Sequence, residues 1–235
     1  MKKRINIVVD LETASLQSDA AILSIAAVPF NPDGLKQNEL GIQESIYDVF
    51  PDSECSESLA PFYEVINATS CFLQGMHFDM ETARFWAKQD EEAKAELLSR
   101  PGLTIGQVMN AFHNYLEGIK QAYDADIVLW AQGSDFDFPI LANAYAKVLK
   151  GVKMPWDYRN KRDARSIVLD ILEARFGVEE KPYNRIPEIT HNFKFVKHSA
   201  ICDAHRTAWS VAYAKSLCPS ISGASTSSTT PKSSE

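Results

Sequence analysis

The chain has 235 residues, 45% of them hydrophobic and 23% charged, which is ordinary for one globular domain of generous size. Its net charge of −7 argues against a protein held to nucleic acid by a diffuse basic surface, although acidic residues around bound metal ions would contribute to the same balance. No segment approaches the roughly 18 apolar residues of a membrane-spanning helix.

The first predicted element is a buried strand over residues 5–13, which ends in two carboxylates, Asp10 and Glu12. Side chains alternate along a strand, so these two lie on one face, about 6–7 Å apart along the chain. They repel each other unless a cation or a proton lies between them, and their hard oxygen atoms favour Mg2+ or Mn2+ over zinc. The alternative is a solvated turn, since a motif this short also occurs without a metal.

The next two elements predict an antiparallel meander. A second apolar strand spans 21–30, the sequence of 31–34 is a strong turn signal, and a third strand spans 45–50.

Helices follow. Asp79 or Glu81 begins a helix that carries Phe85 and Trp86, and the run 89–100 has the mixed charges of a solvated helical face. A longer helix comes after the stop signal Pro101-Gly102, with Thr104 as its N-cap and an apolar stripe of Ile105, Val108, Phe112, Tyr115, Leu116 and Ile119.

A strand at 126–131, a turn at 132–134 and a helix from about 138 to 150 form one α/β unit. Asp137 lies at their junction, at the carboxyl end of the strand, where open α/β sheets place their ligands. The alternative role for an Asp in front of a helix that has Pro in its first turn is an N-cap.

The final third of the chain predicts two helices joined by a loop. Asp163 opens a helix that runs to Gly177, residues 178–197 form a loop with at most a short helix, and Ser199 caps the last helix. This helix ends near Cys218-Pro219, and its inward stripe is Ile201, Ala204, Ala208 and Val211.

His198 and Asp203 are candidate site residues at the start of the last helix. Five residues on a regular helix turn the side-chain direction by about 500°, so the two could not share a face if both were helical. A position just before the Ser199 cap frees His198 to reach the same pocket as Asp203. The alternative for Asp203 is a solvent-facing place in the first turn.

Three motifs together resemble those of the DEDDh, or DnaQ-like, 3′–5′ exonuclease superfamily. They are Asp10-Leu11-Glu12-Thr13, Phe136-Asp137 and His198-x-Ala200-x-x-Asp203-Ala204, in that order. Thr82-x-x-x-Trp86-x-x-Gln89 and Arg162-Asp163-x-Arg165-Ser166 resemble the branch of mycobacterial-type 3′–5′ exoribonucleases and phage exodeoxyribonuclease A. The resemblance covers roughly residues 5–216 and implies an α/β, ribonuclease H-like fold, with a mixed central sheet flanked by helices.

The resemblance also implies a mechanism. Asp10, Glu12, Asp137 and Asp203 would hold two divalent metal ions, Mg2+ or Mn2+, and His198 would be the general base. The substrate would be RNA or DNA with a free 3′ end, and the product a nucleoside 5′-monophosphate.

Five residues are candidates for gripping the terminal nucleotide, namely Thr13, Trp86, Gln89, Arg162 and Arg165. Thr13 would use its backbone or its hydroxyl, and the others would contact base, sugar or phosphate. Aromatic stacking tolerates any base, but a core position is an equal alternative for Trp86.

Other acids and histidines compete for these roles. Asp135 is an alternative to Asp137, which is preferred because it follows Phe136 directly, and Asp135 is expected to cap or to face solvent. His191 and His205 compete with His198, but neither has an Asp five residues later, and His205 is expected on the exposed side of the last helix. Surface or packing roles are expected for His77 and His113.

The sequence alone is compatible with three functions. The leading hypothesis is a metal-dependent 3′–5′ exonuclease acting on single strands or 3′ overhangs. The second is a catalytically idle nucleic-acid-binding or scaffold domain, against which the retention of all four acids and the histidine argues. The third is an unrelated metal phosphohydrolase with a small substrate.

The sequence also predicts domain boundaries and location. Residues 1–218 form the catalytic domain, and 219–235, with 10 Ser or Thr among 17 residues and no aromatic residue, cannot bury enough apolar surface to order themselves. The four cysteines show no CxxC pair and the first apolar run breaks too early for a secretory signal, which predicts a cytoplasmic protein with reduced thiols. We expect no membrane association, and a homodimer is left open.

Overall fold

The computed structural model describes residues 2–38, 41–44, 46–47, 59–98, 102–189 and 195–218. Its strands are β1 (Lys3–Thr13), β2 (Ile22–Phe30), β3 (Leu35–Asn38), β4 (Gly41–Glu44), β5 (Phe62–Val65), β6 (Ala125–Ala131) and β7 (Lys161–Asp163). Its helices are α1 (Ala68–Leu73), α2 (Met80–Ala87), α3 (Glu91–Leu98), α4 (Ile105–Ala122), α5 (Ser134–Val148), α6 (Ala164–Phe176) and α7 (Ala200–Ser216), with short 3-10 helices at Tyr158–Asn160 and Pro182–Arg185.

The main sheet has the strand order β5-β2-β1-β6-β7. β1 is its central strand, antiparallel to β2 and parallel to β6, so the sheet is mixed as predicted. The ladder between β1 and β6 ends at the pair Val8 and Trp130, while β1 itself continues along β2 to Thr13. The carboxyl end of β1 therefore reaches beyond β6, and this end carries the two acids.

Helices cover both faces of the sheet, because the side chains of β1 alternate between two buried layers. Ile5, Ile7, Val9 and Leu11 pack with residues of α4 and α5 on one face, whereas Val8 packs with residues of α6 and α7 on the other. Asp10 and Glu12 continue the row of Val8. Strand alternation therefore aims both carboxylates at the face that α7 covers.

Two predicted elements differ from the structure. Of the strand predicted at 45–50, Ile46 and Tyr47 form a turn and the other positions lie outside the described residues. β5 instead pairs with β2 and completes the antiparallel part of the sheet. A short strand of four residues with half-buried side chains gives little sequence signal.

The helix predicted from about 138 begins earlier, at Ser134, which places Pro139 inside it. Gly133, with a left-handed φ of 104°, makes the turn out of β6. The backbone N–H of Ser134 donates to the carboxylate of Asp163 over 2.6 Å, and the other carboxylate oxygen accepts from Ser166 over 2.7 Å. Asp163 thus binds one amide in the first turn of α5 and one in the first turn of α6.

The remaining major elements agree with the predictions. Thr104 caps α4 in a capping box with Gln107, and α2 begins after the N-cap Asp79. Cys71, Cys202 and Cys218 form no disulfide within the described residues, whereas Cys55 and the predicted tail 219–235 lie outside them. None of the described helices is long and apolar enough to cross a membrane.

Candidate active site

The two acids of β1 lie half-buried beside three other carboxylates. Burial raises the pKa of Asp10 well above its ordinary value, and the charges of Asp137, Glu12 and Asp203 raise it further. Burial also raises the pKa of Glu12 to about 8, with further contributions from Asp203, Asp137 and Glu96. These mutual effects require the acids of three distant segments to share one pocket.

Asp137 reaches the pocket from the first turn of α5 and is only 4% exposed. Its Oδ1 accepts a hydrogen bond from the backbone N–H of Leu11 over 3.2 Å, at the part of β1 that extends beyond β6. Burial raises the pKa of Asp137 to about 7, against the opposing effects of this N–H and of Arg165. Asp135, its rival in the sequence, is exposed.

His198 and Asp203 reach the pocket from the start of α7. The ligand atoms of Glu12, His198 and Asp203 all lie within 4.8 Å of one another. His198 precedes the N-cap and has a left-handed φ of 62°, which aims its side chain away from the helical path. The imidazole and the carboxylate five residues later therefore face the same space.

Two aromatic side chains of α2 pack against the imidazole of His198. The rings of Phe85 and His198 lie edge to face with their centroids 5.0 Å apart, and Trp86 does the same at 6.3 Å. Burial lowers the pKa of His198, and the nearby Lys197 lowers it further. The neutral imidazole is thereby favoured near pH 7.

The donor set fits divalent cations. Burial raises the pKa of Asp203 too, and its Oδ1 accepts no hydrogen bond from any residue in the described ranges, although Arg206 Nη2 lies 3.1 Å away. Arg206 offsets only part of the charge of four neighbouring carboxylates with raised pKa values, so a cation or protons must compensate the rest. Because the acidic donors are all oxygen, a hard ion such as Mg2+ or Mn2+ suits them.

Trp86 and Thr13, two of the predicted substrate residues, lie beside this cluster, and Gln89 bonds the backbone of Phe85. Trp86 is half-buried, and its Nε1 donates to the carbonyl of Thr13 over 2.9 Å. The Thr13 hydroxyl is buried and donates to the carbonyl of Ser15 over 2.7 Å. Gln89 Nε2 donates to the carbonyl of Phe85 over 2.9 Å.

The two predicted arginines separate. Arg165 lies beside the cluster, donates to the carbonyl of Gln132 over 3.1 Å and lowers the pKa of Asp137 by its charge. The Arg162 guanidinium instead donates to the carbonyls of Arg159 and Lys161. It lines a polar cleft of about 440 Å³ together with Arg4, Lys120, Asp126, Lys153 and Trp156, of which Arg4 and Asp126 lie near the amino ends of β1 and β6. The structure therefore does not bring Arg162 to the acids.

The other histidines lie apart from the cluster. His205 is half-buried, with its Nδ1 2.8 Å from the Tyr47 hydroxyl, which corrects the predicted exposed position. Tyr47 comes from a segment far earlier in the chain, so the sequence around His205 could not predict this contact. His77 is exposed and bonds Ser15, and His113 is half-buried against Tyr145, as surface and packing roles predict. His191 lies outside the described residues.

Sequence reasoning missed two charged residues of the site. Arg206 forms an ion pair with Asp203 at the helical i,i+3 spacing, which was a readable signal. Glu96 of α3 raises the pKa of Glu12 by its charge and accepts a hydrogen bond from Ser199. Only the tertiary fold brings Glu96 here.

Three solved structures are similar to this chain. The nuclease domain of 3'hExo, a DEDDh family member bound to rAMP, aligns with a TM-score of 0.53 and 10% identity over 89% of this chain and 90% of that one. The zinc-bound E. coli ExoI–ssDNA complex gives a TM-score of 0.46 and 12% identity over 92% of this chain and 40% of that one. The Mg2+- and Mn2+-bound form of S. pombe Pop2p gives a TM-score of 0.45 and 12% identity over 89% of this chain and 81% of that one.

The fold is therefore the ribonuclease H-like fold of DEDDh exonucleases, as the motifs predicted. The model of the 3′–5′ exoribonuclease Rv2179c-like domain matches residues 5–215, and the chain belongs to this family. It is an enzyme of the 3′–5′ exonuclease class. None of the curated protein sequences matches it.

Proposed function

We propose that this chain hydrolyses phosphodiester bonds from the free 3′ end of RNA or DNA, as single strands or 3′ overhangs, and releases nucleoside 5′-monophosphates. The observation that carries the proposal is the convergence of Glu12, His198 and Asp203 within 4.8 Å, with the buried Asp137 bonded to Leu11 beside them. The exoribonuclease family makes RNA the first substrate to test.

Asp10, Glu12, Asp137 and Asp203 would hold two divalent ions, Mg2+ or Mn2+, which when bound stabilise the attacking and leaving oxygens of an in-line displacement. Arg206 and Arg165 offset part of the acidic charge, because they oppose the raised pKa values of Glu12 and Asp137 respectively.

His198 accepts the proton of the attacking water. A general base must be in its unprotonated form, and burial lowers the pKa of this imidazole, so the free base predominates near neutral pH. The edge-to-face contacts with Phe85 and Trp86 hold the ring beside Asp203. Thr13 through its backbone, Trp86, Gln89 and Arg165 are the proposed contacts to the terminal nucleotide.

Two further predictions accompany this function. Residues 1–218 act as the nuclease domain while 219–235 take no part in catalysis, and the protein is cytoplasmic. The catalytically idle alternative keeps the same fold, and the small-substrate phosphohydrolase alternative keeps the same donor set, so activity measurements must separate them.

The test is degradation of 5′-labelled and 3′-labelled RNA and DNA oligomers with Mg2+ or Mn2+. We expect stepwise shortening from the 3′ end with release of mononucleotides. Asp10→Ala abolishes cleavage and His198→Ala slows it severely, whereas Asp135→Ala, which removes an exposed acid of the same helical turn as Asp137, is the matched control. Unchanged rates in Asp10→Ala and His198→Ala, or hydrolysis of free nucleotides only, would reject the proposal.

A further inference from the structure

Ser199 occupies the N-cap position of α7 but does not cap the helix. Its backbone is extended and its carbonyl accepts the first helical hydrogen bond, from Asp203 over 2.8 Å, yet its side chain bonds no amide of the first turn. The hydroxyl instead donates to Glu96 Oε1 over 2.6 Å, across 103 positions of sequence. Because a serine here ordinarily accepts from the second or third amide of the helix, its orientation toward Glu96 needs another explanation.

The residue that precedes Ser199 supplies one. His198 has a left-handed backbone, which is uncommon for a residue with a side chain and persists only where the surroundings fix it. On one side Phe85 and Trp86 of α2 contact its ring. On the other, Glu96 of α3 holds the next residue in the chain, and that residue is 2% exposed.

We propose that Glu96 is a positioning residue that acts through Ser199. Its carboxylate fixes the Ser199 hydroxyl, which sets the backbone at His198 and aims the imidazole at the space shared with Glu12 and Asp203. The helices α2 and α3 thus form one support for the general base. The proposal deepens the proposed function and rests on His198 being the base.

Glu96 has a rival role that must be separated from this one. Its charge acts on Glu12, so it could serve by electrostatics or as a further cation ligand. The side-chain amide of glutamine keeps an acceptor oxygen but carries no charge, so Glu96→Gln preserves the bond to Ser199 and removes the charge. Leucine removes both. On the other partner, Ser199→Ala removes the donor and Ser199→Thr retains a hydroxyl.

The experiment measures kcat and KM of the full-length variants on a single-stranded oligonucleotide with Mg2+ or Mn2+. We expect Glu96→Leu and Ser199→Ala to lower kcat by about 10–100-fold, the effect of a misplaced catalytic group, with KM unchanged within about twofold. Glu96→Gln and Ser199→Thr stay close to the wild type. The double variant Glu96→Leu/Ser199→Ala is no worse than either single variant, because both break one contact. Glu91→Leu, on the exposed part of α3, is the control for loss of a glutamate from this helix.

A second measurement does not depend on turnover. The NMR coupling between the amide and α protons of His198 reports its φ, and its ring signals report the contacts with Phe85 and Trp86. Both should change in Glu96→Leu and Ser199→Ala and persist in Glu96→Gln. If the wild type cleaves no oligonucleotide but these signals behave as described, the proposed function fails and the positioning contact stands. Equal loss of kcat in Glu96→Gln and Glu96→Leu, or wild-type kcat in Glu96→Leu, overturns the positioning role.

Discussion

The carboxylate of Asp137 accepts a hydrogen bond from the backbone N–H of Leu11, 126 positions earlier in the chain. Leu11 lies between the two acids of β1, so this bond holds the start of α5 against the strand that carries Asp10 and Glu12. The contact joins the second motif to the first. It also places a third carboxylate where the first two already repel each other.

Replacement of Asp137 by asparagine should separate stability from activity. Asparagine keeps an acceptor for the Leu11 N–H but removes a charge that burial disfavours, so metal-free Asp137→Asn should melt about 2–4 °C higher than the wild type at pH 8, the shift of roughly 1 kcal/mol in a chain of this size. Its activity should fall by more than the ~10–100-fold typical of losing a group that only orients a metal ligand. Asp135→Asn should change neither property. A large loss of melting temperature in Asp137→Asn would contradict this prediction.

The metal-free protein should become less stable as the pH rises. The pKa of Glu12 is raised from 4.5 to about 8 and that of Asp137 from 3.8 to about 7, so the folded state binds protons more tightly than the unfolded state. The contribution of these two groups to stability is then fully present below about pH 4 and is lost as the pH rises through 7 to 8. Thermal melting in EDTA from pH 4 to 9 measures this decline, against the general background of other titrations. Mg2+ or Mn2+ should reduce the decline, and parallel curves with and without metal would count against a shared cation site.

Loss of the His198 imidazole should lower kcat and leave substrate binding unchanged. His198→Ala should reduce kcat by about 10²–10⁴-fold, the usual contribution of a general base, while His77→Ala, at an exposed histidine, retains activity. Because burial lowers the pKa of His198 below 6.5, the acidic limb of the wild-type pH–rate profile should have its midpoint below that value. Rates of oligonucleotide cleavage between pH 5 and 9 provide the check. A midpoint above 7 would argue against this assignment of the base.

Two tryptophans allow a matched comparison of one lost hydrogen bond. Trp86 Nε1 donates to Thr13 and Trp130 Nε1 donates to Asn6, each over 2.9 Å. Trp86→Phe and Trp130→Phe should each reduce the free energy of unfolding by about 1 kcal/mol, measured in urea. Only Trp86→Phe should also reduce kcat/KM, because Trp86 contacts His198 and lies at the end of β1. Equal kcat/KM in the two variants would assign Trp86 a purely structural role.

Replacement of Arg162 and of Arg165, which belong to one motif, should differ in its effect on oligonucleotide binding. Arg165→Ala removes a cation beside Asp137 and should weaken oligonucleotide binding, whereas Arg162→Ala removes one that lines the polar cleft with Arg4 and Asp126 and should have a smaller effect. Fluorescence polarisation with a labelled oligomer in an Asp10→Ala background measures affinity without cleavage. An equal or larger loss for Arg162→Ala would mean that the polar cleft around Arg162 binds the substrate.

The sequence was most informative where the signal was local. Strand alternation predicted that Asp10 and Glu12 share a face, and the spacing from Thr104 to Gln107 belongs to a capping box. Contacts between distant segments could not be predicted in this way. The early start of α5 depends on Asp163, 29 positions later, and the burial of His205 depends on Tyr47, 158 positions earlier. Arg162 and Arg165 look equivalent in a motif, but β7 and α6 direct their side chains to different places.

The pairing of Asp10 with Ala26 and of Glu12 with Ser24 fixes which residues of β1 face α7. If β1 slipped by a single position against β2, every side chain would turn over, with Leu11 directed at α7 and both acids forced into the apolar layer beneath α4 and α5. Misfolding of this kind would therefore abolish catalysis and solubility at the same time. The apolar row of Ile5, Ile7 and Val9 opposes the slip, because it would lose its buried position. The hydrophobic side chains of β1 therefore keep Asp10 and Glu12 in the register that the site requires.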